Sequence, residues 1–107
     1  MIGQEDKRMS NDFNIGYIHY EGSVKILEML GNSNRLLIVC ELIKNGVMTV
    51  SQLSATTKIE EYKVLQHLKK LTISKIVMSV RKGTKIYASV EEQKIIDIIF
   101  LLGLLHK

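Results

Sequence analysis

The sequence predicts a mainly α-helical domain of the α+β class, with about five helices and one two-stranded β-hairpin. Three observations lead to this prediction. The chain has 107 residues, of which 46% are hydrophobic, and this suits one compact domain. Apolar residues recur at helical spacing over most of its length. The period shortens only over residues 76–89, which contain short runs of Val and Ile.

The domain is predicted to cover residues 13–107. Residues 1–12 mix polar and charged types without periodicity, which is typical of a mobile arm. The first helix is expected over residues 13–30, where apolar side chains recur but Gly16 and Gly22 interrupt the pattern. The pattern therefore allows one continuous helix or a helix broken near Gly22.

Three further helices are predicted between residues 33 and 72. Gly31-Asn32-Ser33 supplies a stop and a new cap, and an apolar stripe then runs to Asn45-Gly46. Thr49 is placed to cap a short third helix. Glu60 and Glu61 begin a fourth helix of about residues 60–72. The predicted inward stripes are Leu36, Val39, Cys40 and Ile43 in the second helix, and Val64, Leu68 and Leu71 in the fourth.

The last two elements are a hairpin and a terminal helix. Residues 76–81 and 85–89 have the composition of strands, and Gly83 lies in the turn between them. The helix that starts at about Glu91 carries apolar residues on nearly every face. A chain of this size has little core left to cover such a helix, so we predict a homodimer.

The positive charge is concentrated in one third of the chain. Residues 58–85 hold eight basic and two acidic residues, a net charge of +6, while the remainder carries −2. A coding bias towards Lys explains the number of lysines but not why they segregate. The pattern favours a nucleic-acid partner.

Two short helices followed by a hairpin describe a winged helix-turn-helix, in which the second helix of the motif enters the DNA major groove. The face opposite the stripe of the fourth helix carries amide, phenol and ammonium groups, which suit base edges and phosphates. The hairpin tip, about residues 80–86, carries three further cations that suit a neighbouring phosphate backbone. A solvated helix face and a solubilising turn are the alternative explanation. The predicted DNA-binding residues are Ser51, Tyr62, Lys63, Gln66, Lys70, Arg81, Lys82 and Lys85.

These segments also resemble a known family. Residues 31–38 (Gly-Asn-Ser-Asn-Arg-Leu-Leu-Ile) are similar to the start of the second helix in ArsR/SmtB-type winged-helix transcriptional regulators. Residues 49–53 resemble the third helix of that family, residues 66–71 its recognition helix and residues 81–87 its wing. The likeness covers about residues 24–105. Residues 35–40, together with the absence of metal-binding motifs, look most similar to the haemolysin-activator branch.

The resemblance implies a dimer built from the first and last helices. The residues then expected at this interface are Ile15, Ile18, Ile95, Ile98, Ile99, Leu102 and Leu105.

The chain departs from the family pattern at three places. Glu60 and Glu61 stand where the recognition helix usually begins with small polar residues. Leu65 stands where the family often has Ser, and Lys75 where it often has Gly. Two carboxylates beside phosphates would repel them, although the helix dipole favours acids at this end. These departures bear on the DNA sequence that is recognised.

No cofactor and no metal ion are predicted. Relatives that sense metals use a Cys-x-Cys pair or Asp and His ligands on the last helix, whereas this chain has one cysteine and three separated histidines. Cys40 is expected to be a small buried hydrophobe, with a redox role as the alternative. The absence of a phosphate-binding glycine loop, an HExxH motif and a nucleophile elbow argues against an enzyme.

No membrane partner is predicted either. The first 14 residues lack the apolar core of a signal peptide, and the longest apolar block, residues 95–105, is shorter than the ~20 residues that span a bilayer. The sequence therefore predicts a cytoplasmic, homodimeric regulator that binds double-stranded DNA at an inverted repeat. The alternative is a winged-helix dimer that has lost specific DNA binding and acts as a protein-interaction module, a role that Glu60, Glu61 and Leu65 would suit.

Overall fold

A computed structural model of the protein describes residues 21–105, and these form five helices and a three-stranded antiparallel sheet. The predicted arm and the predicted interface residues Ile15 and Ile18 lie outside the described residues. In chain order the elements are α1 (residues 21–30), α2 (Ser33–Asn45), β1 (Met48–Thr49), α3 (Val50–Thr57), α4 (Glu61–Ile73), β2 (Met78–Lys82), β3 (Lys85–Ser89) and α5 (Gln93–Leu101).

The start of α2 carries the cap that the sequence predicted within Gly31-Asn32-Ser33, and a further hydrogen bond that it did not predict. The Asn32 side chain accepts a hydrogen bond from the Arg35 backbone N–H at 3.1 Å, as expected of an N-cap. The Arg35 Nε donates to the Met29 carbonyl at 2.7 Å and so joins α2 to the end of α1. Gly22 lies within the helical stretch of α1, so the described part of this helix has no break there.

The inward face of α2 differs from the predicted stripe. Ile38, Val39 and Leu42 are buried, whereas Cys40 and the other two predicted stripe positions are only half-buried. Residues 36–39 are all apolar, so two different faces of the helix each show apolar residues at helical spacing and either could point inward. Packing of α2 against α3 and α4 decides between them.

The starts of α3 and α4 were predicted correctly. Thr49 forms a capping box with Gln52, in which the Thr49 hydroxyl accepts from the Gln52 N–H and the Gln52 side chain accepts from the Thr49 N–H. Glu61 is the first residue of α4. Val64, Leu68 and Leu71 are buried, which confirms the predicted inward face of this helix.

The connection from α4 to the hairpin is not a strand, contrary to the prediction for residues 76 and 77. Lys75 adopts a left-handed conformation with φ 64°, and the N–H groups of Ile76 and Val77 both donate to the Leu71 carbonyl. Ile76 and Val77 are buried against the core before β2 begins. Lys75 stands where the resembled family often has Gly, and its left-handed backbone is one that Gly adopts without strain.

The hairpin belongs to a larger sheet than predicted. The strand order is β1-β3-β2, with Met48 opposite Ala88 and Lys82 opposite Lys85. Gly83, at φ 63°, occupies the turn, where a side chain would be disfavoured. The third strand, β1, escaped prediction because two residues are too few to show a period.

The final helix corrects one expectation about the dimer. Ile95 and Ile99 are 1% and 0% exposed, and they pack in the core of this chain rather than on its surface. Ile98 and Leu105 are half-buried against the same core, while Leu102 is exposed. One face of α5 is thus buried within a single chain, without a dimer partner. Within residues 21–105 no helix is long and apolar enough to cross a membrane.

Candidate nucleic-acid interface

The outer face of α4 carries the predicted base-reading residues. Tyr62 is 59% exposed, and Lys63, Gln66 and Lys70 are also exposed. They point away from the core because Val64, Leu68 and Leu71 occupy the opposite face of the same helix. This face holds donors and acceptors that no core contact constrains.

The hairpin tip carries the second group of predicted residues. Arg81, Lys82 and Lys85 are all exposed, and the two lysines lie opposite each other across the turn. The Lys82 ammonium lies 5.8 Å from the centre of the Tyr87 ring, within the range of a cation–π contact. The tip therefore presents a compact positive surface.

A cleft of about 310 Å³ lies between these two elements. The start of α3, the first turns of α4 and both hairpin strands contribute to its walls, so residues far apart in sequence meet there. An apolar groove continues along α4, where Leu65 and Ile73 line it on one side and Ile86 on the other. The cleft is lined by Thr49, Val50, Ser51, Glu61, Leu65, Arg81, Thr84, Lys85 and Ile86.

Ser51, the predicted phosphate contact on α3, has a hydrogen-bond partner within the chain. It is exposed, but its hydroxyl donates to the Glu61 carboxylate, with 3.2 Å between Oγ and Oε2. From the sequence, Glu61 was expected to start a helix, it departed from the family pattern, and it suited the protein-interaction alternative. Its place in the cleft depends on packing of α3 against α4, which no local sequence signal contains.

Leu65 is the other α4 residue of the cleft that the predicted set left out. It is 37% exposed and lines both the cleft and the adjoining apolar groove. The sequence did contain a signal for this residue, because Leu65 stands where the ArsR/SmtB-type family often has Ser. An apolar side chain here gives the interface a surface that can contact methyl groups.

His67 lies on the flank of α4 away from the hairpin. Its Nδ1 is buried and has no hydrogen-bond partner within residues 21–105. Partial burial lowers the pKa of His67, and the positive charges of Arg35, Lys70 and Lys63 lower it further. Burial and the three positive charges thus all disfavour the charged imidazolium.

Cys40 is a free, half-buried thiol on α2. Burial raises the pKa of this thiol and the Glu41 carboxylate raises it further, while Lys44 acts in the opposite direction. A raised pKa lowers the fraction of thiolate, which is the reactive form of cysteine. Among residues 21–105 no three His, Cys, Asp or Glu side chains converge in a way that could hold a metal ion.

Comparison with known proteins identifies the family. Residues 32–79 match the bacterial regulatory protein, arsR family. The transcriptional repressor PagR of Bacillus anthracis is 34% identical over 92 residues, which cover 86% of this chain and 92% of PagR. The crystal structure of PagR gives a TM-score of 0.72 and covers 80% of this chain and 98% of PagR.

Two further solved structures have the same fold. NolR from Sinorhizobium fredii is 28% identical, with a TM-score of 0.72 over 81% of this chain and 86% of NolR. Reduced HlyU from Vibrio cholerae is 23% identical, with a TM-score of 0.75 over 84% of this chain and 94% of HlyU. At this identity the likeness to HlyU concerns the fold alone, so the branch suggested by residues 35–40 stays a prediction.

The winged helix-turn-helix predicted from the sequence is thus confirmed by both the architecture and the relatives. The relatives are transcriptional regulators rather than enzymes, in agreement with the absence of catalytic motifs. The chain belongs to the arsR family of bacterial regulatory proteins.

Proposed function

We propose that this protein is a homodimeric transcriptional regulator that binds an inverted-repeat operator in double-stranded DNA. The recognition helix, residues 60–72, would read each half-site and the hairpin tip, residues 80–86, would hold the flanking backbone. The observation that carries the proposal is the cleft, because Arg81 and Lys85 of the hairpin line it together with residues of α4. The α4 residues that line it are Glu61 and Leu65, while Lys63 and Lys70 lie outside the lining, so the cleft joins the hairpin cations to the start of the recognition helix.

The outer face of α4 supports base reading. Gln66 carries an amide that can pair with an adenine edge, and Lys63 can reach a guanine or a phosphate. Tyr62 can donate to a phosphate or pack on a thymine methyl group. These side chains are exposed on successive turns of one helix, which is the arrangement that the major groove accepts.

The hairpin tip supports affinity rather than specificity. Arg81, Lys82 and Lys85 are cations on a short turn, so they can follow a phosphate backbone without reading bases. Each neutralised phosphate releases counterions, which makes the binding dependent on salt. The tip is therefore expected to contribute to binding of every DNA sequence.

The dimer would form through the faces of α1 and α5 that the core leaves uncovered. Leu101 is 86% exposed, and Phe100, Leu102 and Leu27 are exposed as well. Ile98 and Leu105 lie at the edge of this surface, half-buried. Two copies joined there would present two recognition helices to half-sites about one helical turn apart. A regulator of this kind acts on the chromosome, so we place it in the cytoplasm.

The proposal is tested by fluorescence anisotropy with the purified protein, after light scattering has measured its mass. Random-sequence and AT-rich duplexes are titrated at low and at physiological salt. We expect a dimer that binds both at low salt and keeps a preference for some sequences at physiological salt. A folded dimer that binds no duplex at low salt would overturn the proposal.

One observation favours a second candidate, a protein-interaction module. Leu65 and Ile73 line an apolar groove beside the interface, and Ile73 is 81% exposed. Absence of DNA binding in the titration, together with saturable binding of a purified protein partner that Ile73→Glu abolishes, would support this candidate.

A further inference from the structure

We infer that Glu61 is a specificity-determining residue, which accepts a hydrogen bond from the exocyclic amino group of a cytosine in the major groove. This inference rests on the proposed function. It assigns a positive role to a carboxylate that is otherwise only unfavourable beside DNA.

The position of Glu61 favours contact with a base. It is the first residue of α4, and recognition helices contact base edges chiefly through their N-terminal residues. It lines the cleft that also holds Arg81 and Lys85, so a duplex seated against the hairpin would pass close to it. Glu60, the preceding residue, is exposed but does not line this cleft.

The carboxylate is oriented before DNA arrives. Ser51 Oγ donates to Oε2 at 3.2 Å, and no side chain of residues 21–105 donates to Oε1. Within residues 21–105 no Lys or Arg forms an ion pair with Glu61. Among the described residues, Glu61 is thus a carboxylate that one hydrogen bond positions and that no ion pair neutralises.

The chemistry of the major groove then selects the base. A carboxylate repels phosphate oxygens and the acceptor groups of guanine and thymine, but it can accept from the N4 amino group of cytosine. Cytosine presents only this donor at its major-groove edge, whereas adenine pairs its donor with the N7 acceptor. Glu61 should therefore favour cytosine and weaken binding to sequences that lack it.

The test compares wild type, Glu61→Gln and Glu60→Gln in parallel selections from a random-sequence duplex pool. Both variants lose one negative charge at neighbouring exposed positions, so Glu60→Gln controls for net charge and for the helix dipole. Thermal unfolding of all three verifies that they are folded. Anisotropy titrations then measure how much the affinity changes when cytosine is replaced by thymine at each half-site position.

We expect one half-site position at which wild type and Glu60→Gln prefer cytosine over thymine by about tenfold. Glu61→Gln should reduce this ratio below about threefold, because its amide can also donate to thymine O4. The same variant should bind non-specific DNA more tightly than wild type.

Three results would overturn the inference. If Glu61→Gln selects the same operator with the same ratio, Glu61 does not read a base, although the proposed function stands. A Glu61-dependent preference for adenine would remove the assignment to cytosine. If wild type binds all sequences equally, the specific operator of the proposed function fails together with this inference.

Discussion

The Ser51 hydroxyl donates to the Glu61 carboxylate across the junction between α3 and α4. A serine has a single hydroxyl hydrogen, so this bond competes with donation to a DNA phosphate. The two helices of the DNA-binding motif are thereby joined by side chains at their first turns. A phosphate contact of Ser51 and a cytosine contact of Glu61 can therefore be distinguished by experiment.

Ser51→Ala is expected to reduce discrimination between operator and non-specific DNA by severalfold, because it releases the Glu61 side chain. Unfolding stability should change by less than about 1 kcal/mol, since the bond is exposed. Anisotropy titrations measure the first effect and urea unfolding the second. In the Glu61→Gln background the substitution should have a smaller effect on discrimination. A uniform loss of affinity for all sequences would instead indicate a direct phosphate contact.

The two basic elements should differ in what they contribute. Replacing Lys63 and Gln66 by Ala is expected to weaken operator binding more than non-specific binding, because these residues would face the bases in the proposed complex. Replacing Arg81 and Lys82 by Ala should weaken binding to all DNA and flatten the slope of log K against log salt by about 2. Lys94→Ala, an exposed lysine on α5, is the control. If neither pair changes binding across salt concentrations, the assigned surface is wrong.

Substitutions at exposed positions near the end of α5 should affect dimerisation, whereas a substitution at a buried position of α5 should affect folding. Leu101→Glu combined with Leu102→Glu is expected to shift the protein towards monomer in light scattering, while Ile73→Glu, an equally exposed apolar position on α4, should not. Ile99→Ala should lower the free energy of unfolding by about 2–5 kcal/mol through loss of core packing. A fully dimeric Leu101/Leu102 variant would place the interface elsewhere.

His67 should make stability depend on pH. The folded-state pKa lies below the unfolded value of about 6.5, so the unfolded chain takes up a proton first as the pH falls. The stability associated with neutral His67 is therefore complete above about pH 6.5 and declines below it. Proton-detected NMR titration should give a pKa for His67 below that of a histidine peptide. Urea unfolding between pH 5 and 7 should show a shallower pH dependence for His67→Gln, and an unchanged dependence would contradict this assignment.

Lys75→Gly should stabilise the protein by about 1 kcal/mol. Lys75 adopts φ 64°, a left-handed conformation that is unfavourable for residues with a Cβ, and glycine removes this cost. Lys75→Ala keeps the Cβ while removing the charge, so it should not stabilise. Equal stabilisation by both variants in thermal unfolding would attribute the effect to charge rather than to backbone conformation.

Several features were predictable from sequence because they depend on residues only a few positions apart. The Asn32 and Thr49 caps, the stripe of Val64, Leu68 and Leu71, and the turn at Gly83 each follow from local hydrogen bonds or one helical period. The exposed cations of α4 and the hairpin were predictable for the same reason. These signals were sufficient to predict the fold, and they place the proposed interface on α4 and the hairpin.

The remaining features depended on contacts between distant segments. β1 exists because Met48 and Thr49 pair with Ala88 and Tyr87, about 40 residues away. Ile95 and Ile99 became core residues because the other helices left space for one face of α5. The sequence by itself determined which helices form and where charge collects, since these are local properties. Only the tertiary structure decided that Ser51 binds Glu61, because packing of α3 against α4 sets that distance.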